Sequence, residues 1–158
     1  MKGTGIRGRC SAVYSTLEEL TEGKNNPKYK SYSEEIVGDA IENAGIRFNY
    51  EKGVFIVDNS NEEQQVRLWY PDFYLPELDI ILEYVGMPDN EEYMKGIAKK
   101  KQVYDDMDLS VVWIYPNDIW EESDGKYSKR RNVHEVILSK IYDIALESNM
   151  QDELRKAV

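Results

Sequence analysis

The run Ile80-Ile81-Leu82-Glu83-Tyr84-Val85 constrains the fold more than any other stretch of the chain. Its apolar residues do not alternate with polar ones, so a strand built from them has no face to give to water and belongs inside a sheet covered on both sides. One acidic residue, Glu83, interrupts the run. An ionised carboxylate in such surroundings is costly unless a cation or a hydrogen-bond network compensates it. The strand therefore sets both an architecture and a question about what Glu83 faces.

The flanking patterns supply the rest of an α/β layout. Ser31 or Ser33 can cap a helix whose apolar positions Ile36, Val37, Ala40, Ile41 and Ala44 share one side and whose end is marked by Gly45. Ile46 to Tyr50 and Val54 to Val57 predict two strands or a strand pair, followed by the turn-rich Asp58-Asn59-Ser60-Asn61. Val66 to Tyr74 predicts a further strand broken at Pro71. Residues 91–107 predict a second helix, with Tyr93, Ile97, Lys100/Lys101 and Tyr104 along one side. Leu109 to Tyr115 predicts a strand that Pro116 ends, and Val133 to Ser148 a third long helix. The order is helix, about three strands, helix, strand, helix. Residues 1–30, rich in glycine and turn residues, are expected to form an arm or lead-in, and residues 31–158 a single domain.

A length of 158 residues suits one domain, and 41% hydrophobic residues suffice for a core. The single cysteine, Cys10, has no internal disulfide partner, and no Cys/His grouping has zinc-ligand spacing. A reducing, cytoplasmic setting is expected, with no membrane span and no secretory leader. The net charge of −10 argues against a protein that coats nucleic acid electrostatically. The acidity is concentrated in the middle of the chain, and both ends are mildly basic.

Part of that acidity forms a chemical constellation. Asp72 follows Pro71, at a place where a strand is irregular and a side chain can be aimed at a site. If the strands around Pro71 and Glu83 are hairpin neighbours, Asp72 and Glu83 converge, and their oxygens are what Mg²⁺ prefers. Glu34 lies on the same side of its helix as Val37 and Ile41, at the edge of the face that packs on the sheet. Lys100 or Lys101 on the second helix supplies a positive charge. Carboxylates and a lysine around a metal suit phosphodiester hydrolysis: the metal polarises the phosphate and lowers the pKa of bound water, and the lysine steadies developing charge.

These residues resemble the PD-(D/E)XK, or restriction-endonuclease-like, nuclease superfamily. The resemblance rests on the helix with its glutamate, on PDFYLPELDIILEYVG, and on the following Tyr- and Lys-bearing helix, and covers about residues 31–119. It implies an αβββαβ core with a mixed central sheet flanked by helices, and a Mg²⁺-dependent endodeoxyribonuclease in which Mn²⁺ can substitute. Carried over residue by residue, Asp72 and Glu83 match the paired metal ligands, and Glu34 the acidic residue of the first helix. The backbone carbonyl of Tyr84 is a further candidate ligand. The lysine expected two residues after the glutamate is Val85 here; the resemblance then points to the Lys99-Lys100-Lys101 cluster, and Lys100 is favoured. DNA is the expected partner, with RNA left open, and a two-fold dimer is the simplest way for a small nuclease to reach both strands of a duplex. The alternative is a degenerate member that binds nucleic acid or protein without cutting.

Other signals are weaker. Gly3-Thr4-Gly5-Ile6-Arg7-Gly8 formally matches a dinucleotide fingerprint but follows no strand, so no organic cofactor is expected. Lys126 to Arg131 is a basic run that fits phosphate contact and a solvated helix lead-in equally. Glu51 fits an ordinary surface carboxylate better than a supporting group of the site.

Overall fold

The structure, a computed structural model, describes residues 13–14, 28–59 and 62–157. Most of the expected N-terminal arm, the glycine motif and Cys10 lie outside the described residues. The fold is mixed α/β, with a mixed four-stranded sheet and four helices among the described residues.

Helix α1 (Tyr32–Asn43) starts at Ser31, whose hydroxyl accepts the Glu34 amide, and it ends before Gly45, which adopts the positive φ that closes such helices. The central sheet has the order β2-β5-β6-β7, formed by Asn49–Tyr50, Phe73–Leu75, Ile80–Tyr84 and Ser110–Ile114. Strands β5 and β6 form the expected antiparallel hairpin, with Phe73 opposite Leu82. Strand β6 then pairs parallel with β7 after the crossover through helix α2 (Glu91–Asp106). All five residues of β6 are buried. On one face Leu82 and Ile80 pack with α1 and with the C-terminal helix α4 (Val133–Lys156). On the other, Ile81 packs with Val103 and Tyr104 of α2.

The chain between residues 66 and 74 does not form one interrupted strand. Strand β4 (Gln65–Trp69) pairs with β3 (Val54–Asp58) in a separate hairpin, and β5 joins the central sheet. Pro71 separates the two because it has no amide to offer a continuing ladder. The inner face of the β3–β4 hairpin carries Ile56 and Trp69 onto the α2 side of the sheet; its outer face leaves Phe55, Val66 and Leu68 exposed.

The C-terminal third departs most from expectation. A short helix α3 (Pro116–Ile119) leads into a hairpin of β8 (Trp120–Ser123) and β9 (Lys126–Lys129), and β9 also pairs with β1 (Val13–Tyr14). The basic run Lys126 to Arg131, for which phosphate contact and a helix lead-in fit equally, is therefore largely a strand. Asp124 and Gly125 both have positive φ, as a tight hairpin turn requires. Helix α4 runs to Lys156 rather than Ser148. Its core-facing periodicity fades after Ala145, but the good helix formers that follow continue it in solvent. No described helix is long and apolar enough to cross a membrane.

Candidate active site

The alternation of side chains along strands places the carboxylates. Successive residues point to opposite faces, so Asp72, Tyr74, Ile81 and Glu83 fall on the face covered by α2. The β5–β6 register, continued by one residue, sets Asp72 opposite Glu83. The two strands are tied there directly: the Tyr84 amide donates to Asp72 Oδ2 at 2.7 Å. The Tyr84 amide thus holds the Asp72 carboxylate in place.

Glu83 is 3% exposed, and its Oε1 collects two donors from α2. Lys100 Nζ lies 2.8 Å away and the Tyr104 hydroxyl 2.6 Å away. These contacts supply the compensation that a carboxylate in a buried strand needs. They also account for Val85. That position is fully buried, and the positive charge arrives from α2 instead.

The three consecutive lysines fan out, as 100° of helical rotation per residue demands. Lys99 Nζ pairs with Asp58 at 3.4 Å, Lys100 with Glu83, and Lys101 donates to the Tyr115 hydroxyl at 2.8 Å and lies over the Trp113 ring. Of the two lysines expected at the site, Lys100 reaches it and Lys101 points elsewhere.

Glu34 closes the other edge. It is 8% exposed, accepts from Ser31 Oγ at 3.2 Å and accepts a short hydrogen bond from the Tyr50 hydroxyl. The Lys30 amide donates to that same hydroxyl, and the Lys30 side chain pairs with Glu51. The Glu51 amide, in a left-handed turn conformation, donates to the Asp72 carbonyl at 3.0 Å. Glu51 is therefore part of the scaffold behind Asp72 rather than a bystander.

The charges sense one another. Burial first, and then the field of Glu83, push the Asp72 carboxyl up to about 7; Glu34 adds to the rise, while Lys100 and the Tyr84 amide oppose it. Two carboxylates thus act on a third, although among the described residues no three His, Cys, Asp or Glu side chains close into a ready-made metal cage.

Two residues of this neighbourhood escape a sequence reading. Tyr104 looks like a core aromatic, and it is its hydroxyl that reaches Glu83. Asp58, 2% exposed between Arg67 and Lys99, looks like a turn residue because Asn-Ser-Asn follows it. A separate cleft of about 820 Å³ lies beside α3 and the β8–β9 hairpin, lined by Tyr115, Trp120, Tyr127, Arg130 and Lys140 among others. Its cations have local partners: Arg130 the Asn117 carbonyl and Glu121, Lys140 Asp118.

No protein-family model, no curated protein and no solved structure matches this chain.

Proposed function

We propose that the protein is a metal-dependent nuclease of the restriction-endonuclease-like fold that hydrolyses DNA phosphodiester bonds. The observation that carries this reading is the convergence of Asp72 and Glu83 from neighbouring antiparallel strands with Lys100 from the next helix, on one face of a mixed sheet. The element order α1, the β2 to β6 strands, α2 and β7 is compatible with such a core, with β3–β4 as an added hairpin.

The donor chemistry fits a hard divalent cation. Asp72 and Glu83 offer carboxylate oxygens from facing strands, and the Asp72 carboxyl is raised first by burial and then by the charge of Glu83. Asp72 and Glu83 would hold Mg²⁺ or Mn²⁺, with Glu34 at the margin. When bound, the ion supplies Lewis acidity toward the phosphate and a more acidic bound water. The chain's own residues do the positioning. The Tyr84 amide fixes the Asp72 carboxylate, Tyr104 orients Glu83, and the Lys100 ammonium stands where charge develops on the attacked phosphate.

The test is cleavage of supercoiled plasmid, branched DNA and single strands of DNA and RNA in Mg²⁺, Mn²⁺ or EDTA. Asp72→Ala should abolish metal-dependent cutting. Lys100→Ala should slow it by about 10²–10³-fold, and Lys101→Ala should leave it within about threefold because that side chain serves Tyr115. No cutting by wild-type protein, or cutting that survives Asp72→Ala, would overturn the reading. Val85 in place of the expected lysine and the net charge of −10 motivate a second reading, a binding module of the same fold. A chain that retains DNA affinity without any cleavage would select it.

A further inference from the structure

Three tyrosines have hydroxyls near the carboxylates, and they differ in what their protons do. Tyr104 gives its proton to Glu83, and Tyr50 gives its proton to Glu34. Tyr84 reaches the cluster through its backbone amide. Tyr93 is arranged the other way round. Its hydroxyl oxygen accepts the Gly86 amide at 3.2 Å, and among the described residues its own proton goes to no acceptor.

The position of Tyr93 is built. Asn90 caps α2 by accepting the Tyr93 amide at 2.9 Å, which fixes the backbone at the helix start. Tyr93, Ile97, Lys100 and Tyr104 then follow at spacings of four, three and four residues, along one face. Ile97 anchors that face in the interior, and Lys100 and Tyr104 both end on Glu83. Tyr93 lies two turns before Lys100 and is only partly buried, so its hydroxyl stands at the open end of the same row. The electrostatics agree: burial and then the fields of Asp72, Glu83 and Glu34 hold the Tyr93 phenol in its neutral, proton-bearing form.

A neutral donor beside a group of carboxylates, with its oxygen lone pair already pinned by an amide, is suited to an acceptor that arrives with the substrate. A phosphodiester carries two non-bridging oxygens, and Lys100 and a bound cation would leave at least one of their lone pairs to be met. We infer that Tyr93 is a substrate-binding residue that donates its hydroxyl proton to a non-bridging oxygen of the phosphate at the cleavage site, its ring held in place by the Gly86 amide. The inference rests on the nuclease reading given above.

Tyr93→Phe keeps the ring and removes the donor. Under single-turnover conditions with Mg²⁺ it should cut on the order of 10-fold to 100-fold more slowly than wild type, the range for a hydrogen bond to a charged group. Its thermal midpoint and its calorimetric Mn²⁺ titration should match wild type. A stereodefined phosphorothioate at the scissile phosphate supplies a readout that a merely structural role would not move. Sulfur in place of the oxygen met by Tyr93 should slow wild type beyond any effect of sulfur at a cation-bound oxygen, and Tyr93→Phe should lose that part of the penalty and so change the diastereomer preference. Tyr93→Phe cutting within twofold of wild type, or an unchanged diastereomer preference, would overturn the assignment while leaving the nuclease reading intact. Wild-type protein that cuts nothing with any cation would overturn both.

Discussion

At the residue scale, Asp72 and Glu83 show how two acids on facing strands acquire different environments. Glu83 has Lys100 and Tyr104 on one oxygen, whereas Asp72 has a single backbone amide and a carboxylate across the hairpin. The Asp72 carboxyl is raised from 3.8 to about 7, so between these values the folded chain holds a proton that the unfolded chain has released. That proton favours the folded state on the acid side, and its contribution is lost as pH rises through 7. Relative to Asp72→Asn, metal-free wild type should lose on the order of 3 kcal/mol between pH 4 and pH 8. Urea denaturation at a series of pH values measures this, and a difference that stays flat would refute it. Asp72 and Glu83 were legible in the sequence because each breaks a local rule, one beside a proline and one inside an apolar strand. Which of Lys99, Lys100 and Lys101 faces Glu83 was not legible, because one residue of helical rotation redirects a side chain by 100° and the docking angle of α2 is set by packing.

At the element scale, α1 and α2 each contain a glycine, with opposite consequences. A Cβ at Gly38 would strike the Tyr29 ring, which is buried against Tyr50 and Phe73. Gly96 lies exposed in α2 with nothing near its missing Cβ. Alanine gains helix propensity at both sites, by roughly 1 kcal/mol. Gly96→Ala should therefore raise stability by about 0.5–1 kcal/mol, and Gly38→Ala should lower it by about 1–3 kcal/mol through overpacking. Chemical denaturation of the two variants checks the signs. Helices α1 and α2 and strands β3, β6 and β7 followed from periodicity and capping residues. The β8–β9 hairpin did not, although Asp124-Gly125 is a turn signal, because the charged Glu121-Glu122 and Lys126 to Arg131 lack the apolar alternation that marks strands. Its placement depends on Trp120, which is 2% exposed and donates to Ser33 of α1 at 3.0 Å, a partner 87 residues away.

At the scale of the whole molecule, the net charge of −10 opposes any polyanion. A cation held by Asp72 and Glu83 would reverse the sign of the field where the proposed phosphate substrate would sit. Fluorescence anisotropy with labelled duplex DNA should therefore show weak binding in EDTA and binding at least about tenfold tighter in Ca²⁺, a gain of about 1.4 kcal/mol. Asp72→Asn should lose most of that gain. Equal affinity in EDTA and Ca²⁺ would place the phosphate contacts elsewhere on the chain.

The candidate residues come from four separate pieces of the fold: Glu34 from α1, Asp72 from the bend before β5, Glu83 from β6 and Lys100 from α2. Synthesis delivers them in that order, and the helix bearing Lys100 covers the sheet only through the crossover that ends in β7, at residue 114. The Asp72–Glu83 hairpin is local in sequence, so the contact that waits for the crossover to close is the one between Lys100 and Glu83.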